Sequence, residues 1–310
     1  MDLIFFLIGT LILLFSGDML VRAAIDISLK ISVSPMIVGL TVIAFGTSAP
    51  ELLVGVQATW NGFAGLALGN IIGSNITNIL LIVGMPAVII AVRSDDPGLS
   101  QNYYIMLLAT FVFIGFLLFG PIQVWQGIFL IFFLILFVLQ AIFYSYKSDE
   151  NRTVPELTSE RKVLSSSVLT GFVFAGFIGL PFGAHIVITS ATSLANAVGV
   201  SEEVIGLTVV AIGTSLPELA TSIAAAFRKQ VSLLLGNVIG SNMFNILGIA
   251  GIAALIAPLQ LMDKTEIMSL STLLFSSAIL APFIMFKKSI NRQMGIIFLL
   301  FYLVYILLLF

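Results

Sequence analysis

Two stretches of this chain are near-copies of each other. Residues 46–80 read GTSAPELLVGVQATWNGFAGLALGNIIGSNITNIL and residues 213–247 read GTSLPELATSIAAAFRKQVSLLLGNVIGSNMFNIL, with a constant offset of 167, no gap, and identity at 18 of 35 positions. The likeness runs upstream, VGLTVIAF at 38–45 beside IGLTVVAI at 205–212. A bias toward Leu and Ile produces scattered matches, not two copies each of GTSxPEL and GNxIGSN. A chain that carries one unit twice is built from two like halves.

The segments around the copies say what the halves are. A membrane-crossing helix needs about 20 mostly apolar residues. Ten segments qualify, at 3–29, 35–60, 66–91, 101–119, 122–146, 166–197, 203–227, 231–257, 265–286 and 292–310. Composition agrees: 59% of residues are apolar and 9% charged, against about 25% charged in a soluble domain. Each half holds five spans, an odd number, so the second copy enters the membrane inverted. Such inverted repeats recur in secondary transporters, with the substrate site at the repeat interface near the bilayer midplane. The halves are residues 1–146 and 165–310, joined by a polar linker at 147–164. The N-terminal MDLIFFLIG lacks a basic flank and a small-residue cleavage site, so it reads as a retained first span.

Basic residues fall on alternate loops. Eleven, from Lys30 and Arg93 through the linker to Arg228, Lys229, Lys287, Lys288 and Arg292, share one side; Lys264 alone takes the other. The positive-inside rule then puts the 147–164 linker in the cytoplasm and both termini outside, in a prokaryotic inner membrane judged by the minimal architecture. With 13 basic residues against 15 acidic and no long basic run, nucleic acid is excluded as a partner. No Cys and a single His remove thiolate metal sites and make imidazole ones improbable. The expected partners are ions and the lipid bilayer, with no cofactor and no obligate protein partner.

The repeated residues carry the chemistry. Pro50 and Pro217 break the helical ladder, freeing carbonyls near Ala44 and Ala211. Irregular backbone survives in a membrane only where protein or a cavity meets it. Thr47, Ser48, Thr214 and Ser215 add hydroxyls, and Glu51 and Glu218 add carboxylates; an ionisable group at this depth marks a functional site. In the second element, Gly69 and Gly73, like Gly236 and Gly240, permit close helix approach or a local break. Ser74, Asn75 and Asn78, with Ser241, Asn242 and Asn245, place further oxygens on one face. All-oxygen donors suit hard cations such as Ca²⁺ rather than soft metals. Two carboxylates balance one Ca²⁺ and would also suit two or three Na⁺ in alternation. Blander roles compete: Ser74, Asn75, Ser241 and Asn242 as interhelical glue in a GxxxG-like packing face, Asn70 and Asn237 as helix-packing or helix-terminus residues, His185 as a hydrogen-bonded interior residue. Asp18, Arg22 and Asp26 form a charge ladder on the first span.

At GTSxPEL and GNxIGSN, each present once per half, the chain resembles the sodium/calcium exchanger group of the cation/calcium antiporters, over its whole length. The resemblance implies an all-α membrane protein of ten transmembrane helices in two inverted five-helix repeats. Broken helices 2, 3, 7 and 8 would surround a central cation site, and helices 1 and 6 would slide past them. Its two alpha motifs are 38–80 and 205–247. It implies a central Ca²⁺ position at Glu51, Glu218, Thr47 and Thr214. Flanking Na⁺ positions would use Ser48, Ser74 and the Ala211 backbone, and Ser215, Ser241 and the Ala44 backbone, with Asn78 and Asn245 at a middle position. Asn245 stands where some relatives carry Asp, which makes potassium dependence unexpected. The function implied is a secondary transporter, not an enzyme, exchanging Na⁺ for Ca²⁺ by alternating access. The alternative is Ca²⁺/H⁺ exchange on the same glutamates, since protons neutralise them equally well.

Overall fold

The computed structural model describes residues 1–93, 96–148, 163–197, 211–261 and 264–309. Among these the chain is helical apart from short connections and two single-pair antiparallel bridges. The helices are α1 (Asp2–Lys30), α2 (Pro35–Thr47), α3 (Ala49–Trp60), α4 (Ala64–Ile89), α5 (Pro97–Phe119), α6 (Val124–Ser148), α7 (Ser166–Ala197), α8 (Ala211–Thr214), α9 (Leu216–Phe227), α10 (Val231–Ile256), α11 (Lys264–Ile279), α12 (Ala281–Met285) and α13 (Arg292–Leu308). Seven helices are long and apolar enough to cross a bilayer; α2 with α3 makes an eighth, bent crossing, and α9 and α13 are shorter apolar helices. These account for the ten segments expected from hydropathy. The start of the seventh, 203–210, and linker residues 149–162 lie outside the described residues, so the linker and the domain boundaries drawn through it are not described.

Lipid tails give apolar helices no hydrophobic reason to associate, so close packing depends on small residues that let backbones approach. Two interfaces show this. Antiparallel α1 and α7 interlock along their length: Gly176 faces Leu20, Gly179 faces Ser16, and a Cβ on Gly183 would stand 3.1 Å from the Gly9 carbonyl. Their ends are tied as well, by Ser193 donating to Asp2 at 2.6 Å and Lys30 to Ser166 at 3.3 Å. The second interface joins the repeats. Gly39 of α2 abuts the Leu233 carbonyl, while Gly236 and Gly240 of α10 abut the Met36 and Leu40 carbonyls. The GNxIGSN glycines of the second repeat thus serve close approach, not a helix break.

The irregular turns fall elsewhere. In α2 a π-helical turn occupies Gly39–Ile43, and α10 carries another at Phe244–Ile249. In α4 the regular helix ends at Leu80, the Ile82 N–H reaches five residues back to Thr77 at 3.0 Å, and helix resumes at Gly84. Outward from this core, Phe132, Phe133, Phe174 and Phe301 are exposed, as side chains facing acyl chains should be.

The two bridges obey the internal symmetry. Val92 exchanges both backbone bonds with Ile290, at 2.9 and 2.8 Å, and Ile122 does the same with Leu259, at 2.8 and 3.0 Å. Leu259 is the counterpart of Val92 at the repeat offset. Ile290 falls one residue past the counterpart of Ile122, so the second bridge repeats the first between the halves with a one-residue shift, an approximate two-fold relation.

Candidate functional site

Proline sets the site's backbone. Pro50 and Pro217 sit in the first turns of α3 and α9, where an N–H would have no partner within its own helix. The residue before each short helix, Ser48 (φ −83°, ψ 7°) and Ser215 (φ −91°, ψ 6°), leaves helical geometry in the same way. The chain bends by 45° between α2 and α3. Each break is preceded by a glycine with no room for a Cβ: Gly46 lies against the Phe177 ring and Gly213 against Ile188, both on α7. One helix therefore covers both breaks.

The expected free carbonyl at Ala44 is corrected. Its oxygen accepts the Ser48 N–H at 3.0 Å and faces the Thr47 hydroxyl at 3.4 Å. The proline removes the donor for Gly46, four residues back, while the turn before it stays closed. In the second break the Ser215 N–H reaches the Ile212 carbonyl at 3.1 Å.

The side chains cross between repeats. Ser48 donates to Glu218 Oε1 at 2.9 Å, and Ser215 donates to Glu51 Oε1 at 3.2 Å. Thr47 lies 3.4 Å from Asn237 Oδ1, and Thr214 lies 3.5 Å from Asn70 Oδ1. All four contacts map onto one another at the repeat offset. The carboxylates are shut off from solvent, Glu51 at 0% and Glu218 at 1% exposure. Each has one oxygen, Oε2, with no hydrogen-bond partner, and so do the buried hydroxyls of Ser74 and Ser241, Oδ1 of Asn78, and both amide atoms of Asn245. Buried polar atoms are almost always paired. Several of the oxygens expected as cation ligands are among the unpaired ones, beside others such as Asn102 Oδ1 and the Ser277 hydroxyl that were not.

Asn70 and Asn237 were expected to be packing residues. They are that and more: each amide spans the repeats, accepting from the opposite threonine, while Asn70 donates to the Glu51 carbonyl at 3.4 Å and Asn237 to Thr221 at 3.2 Å. Their presence in both copies of the motif was the signal. The glue reading is corrected for Ser74 and Ser241, whose hydroxyls are unpaired, and for Asn75, which donates within its own helix, while Asn242 does join two helices by accepting from Asn78. Asn78 pairs with Asn242, at 2.9 Å, and not with Asn245. The symmetric counterpart, Asn245 Nδ2 to Asn75 Oδ1, is not made, and both of those atoms are unpaired, while the Asn75 amide N–H donates to Ile71 on its own helix at 2.6 Å. His185 is exposed on α7, not interior. The charge ladder exists and has a partner the sequence did not offer: Asp18 pairs with Arg22 at 2.9 Å and with Arg228, at the end of α9, at 2.5 Å. Asp26, one turn beyond Arg22, accepts the Leu164 N–H at 2.9 Å.

Chemically, the arrangement offers two carboxylates and a shell of neutral oxygens in a dry setting. Among the described residues no three His, Cys, Asp or Glu side chains cluster. The negative charge of the site is thus limited to two carboxylates, enough to balance one divalent or two monovalent cations.

Comparison with known proteins adds the rest. A family model described as sodium/calcium exchanger protein matches residues 1–143 and 168–310. The chain is 35% identical over 257 residues to the putative antiporter CaxA of Alkalimonas amylolytica, covering 82% of this chain and 81% of the relative. It is 30% identical, over 98% of its length and 97% of the relative's, to the sodium/calcium exchanger MaX1 of Methanosarcina acetivorans. The solved structure of the sodium-calcium exchanger NCX_Mj soaked with zero Na⁺ and Ca²⁺ superposes with a TM-score of 0.86 at 31% identity, covering 100% of this chain and 99% of that one. Ten helices in two inverted repeats is therefore the architecture of this chain.

Proposed function

The chain belongs to the sodium/calcium exchanger family of multi-pass membrane proteins, and from that premise we propose that it exchanges Na⁺ for Ca²⁺ by alternating access. The observation that carries the proposal is the crossed pair of carboxylates: Glu51 and Glu218, buried, each bonded through one oxygen to a serine of the other repeat and through the other to nothing. Two bare carboxylates buried this deep are costly, so a cation that neutralises them is needed for the closed form to be stable. Ca²⁺ takes six to eight oxygens at about 2.3–2.6 Å, and Glu51, Glu218, Thr47 and Thr214 are the set assigned to it in this reading. Ser48, Ser74, Ser215, Ser241, Asn78, Asn245 and the Ala44 and Ala211 backbones are assigned to the competing Na⁺ ions. Ca²⁺ and Na⁺ compete for the same charge, and exchange follows because only the neutralised site crosses the low-dielectric barrier.

A proton would neutralise the glutamates too. It would have no use for the unpaired hydroxyls of Ser74 and Ser241, which favours Na⁺ as the counter-ion. The test is ⁴⁵Ca²⁺ uptake into Na⁺-loaded proteoliposomes diluted into Na⁺-free buffer, without a pH gradient and with voltage clamped. Uptake that disappears without internal Na⁺ is the expected outcome. Uptake driven only by an acidic lumen would reassign the protein to Ca²⁺/H⁺ exchange.

A further inference from the structure

The expected ligand residues occur in both halves of the site, but one flanking stretch differs in its polar residues. Where α3 of the first repeat has Val54 and Gly55, α9 of the second has Thr221 and Ser222. Ser222 lies four residues past Glu218, so it projects from the same face of α9 as the carboxylate. It is 0% exposed, and its hydroxyl has no hydrogen-bond partner. A serine inside a helix ordinarily bonds the carbonyl four residues back. That carbonyl, of Glu218, takes the Thr221 hydroxyl instead, at 3.0 Å, and Thr221 also reaches the Pro217 carbonyl at 3.0 Å.

The neighbourhood differs to match. Thr221 accepts from the Asn237 amide, which is buried; its counterpart Asn70 is half-buried and donates to backbone. A hydroxyl could not simply be moved to the first repeat, because a Cβ on Gly55 would stand 2.8 Å from Ile249 Cγ2. Hence the run of α9 from Glu218 toward Arg228 carries a buried, unpaired oxygen, and the run of α3 from Glu51 toward Trp60 carries none. Inversion of the repeats makes these two runs emerge on opposite faces of the membrane. Hard cations take oxygen ligands, and this buried hydroxyl, one turn from a carboxylate, has its oxygen uncommitted.

We propose that Ser222 is an additional oxygen ligand for the transported cation, used as the ion enters or leaves on the face where α9 ends at Arg228. The site then binds cations more tightly from that face than from the Trp60 face. This rests on the exchange reading above. Ser222 is outside the residues the two motifs share, so duplication gave no hint of it.

The experiment compares the wild-type protein with Ser222→Ala and with Ser222→Gly, which reproduces the first repeat. Half-saturating Ca²⁺ and Na⁺ are measured from each face in vesicles of fixed orientation, with a thermal scan of each variant. Both variants are expected to raise the half-saturating concentrations several-fold from the Arg228 face, leaving the Trp60 face and the maximal rate unchanged. An equal shift on both faces overturns the proposal. So does a change in thermal stability with no change in affinity, which would make the hydroxyl structural. Equilibrium ⁴⁵Ca²⁺ binding to the detergent-solubilised variants keeps the question separate from the counter-ion. If the wild type fails to exchange Na⁺ for Ca²⁺, the functional reading falls, whereas unchanged Ca²⁺ binding in both variants sinks the role of Ser222.

Discussion

At the scale of single residues, the site is built from pairs that a sequence presents as neighbours but the fold separates. Ser48 and Glu51 are three positions apart, yet Ser48 serves Glu218 and Ser215 serves Glu51. Each glutamate is therefore oriented by the other repeat, and neither half is complete alone. Glu51→Gln or Glu218→Gln keeps size and hydrogen-bonding capacity but halves the charge. Either substitution is expected to reduce Na⁺-dependent ⁴⁵Ca²⁺ uptake to background, while gel filtration and thermal midpoint remain those of the wild type. Full retention of transport in either variant would remove Glu51 and Glu218 from the ion path.

At the scale of helices, glycine and proline divide the labour. Prolines at the starts of α3 and α9 end the preceding helices at Thr47 and Thr214 and hold the serines at the bends. Glycines bring the repeats together. A Cβ on Gly240 would run into the Leu40 carbonyl and stand 2.7 Å from the Ala44 Cβ. Both obstacles belong to a backbone that cannot rotate away. Gly240→Ala is therefore expected to lower stability by about 1–3 kcal/mol, the usual cost of overpacking. Gly115→Ala, with nothing within 4 Å among the described residues, should be neutral or slightly stabilising through helix propensity. Thermal unfolding of the two variants in detergent checks the contrast, and equal midpoints would mean that the α2–α10 contact is soft.

At the scale of the whole molecule, inversion turns one motif into a site reachable from two sides. That argument needs the first and second repeats to lie in opposite senses, and the skew of basic residues predicts which sense. The chain has no Cys, so single introduced cysteines report topology without background. Ser159→Cys in the linker is expected to react with an impermeant maleimide only from the cytoplasmic side. Asn61→Cys, in the turn between α3 and α4, should react only from outside. Labelling of both from one face would break the inverted arrangement, and the reverse pattern would flip the orientation while leaving the repeats intact.

Much of this protein was legible before any coordinates. Hydropathy has a strong periodless signal over about 20 residues, so the spans could be counted. Duplication showed where the chemistry lay, because Leu and Ile are interchangeable in a bilayer whereas Pro50, Glu51, Asn70 and Ser74 and their copies are not. The inversion came from counting an odd number of spans between copies. What the sequence did not contain was the crossing of partners. Which serine meets which glutamate, and the pairing of Asp18 with Arg228 across 210 residues, are long-range contacts with no local pattern. The same holds for the engaged Ala44 carbonyl, the π-helical turns displaced from the motif glycines, and the unpaired hydroxyl of Ser222. These depend on how side chains and backbones fill the space between helices. Close packing fixes that arrangement to fractions of an ångström, and composition and spacing do not encode it one residue at a time.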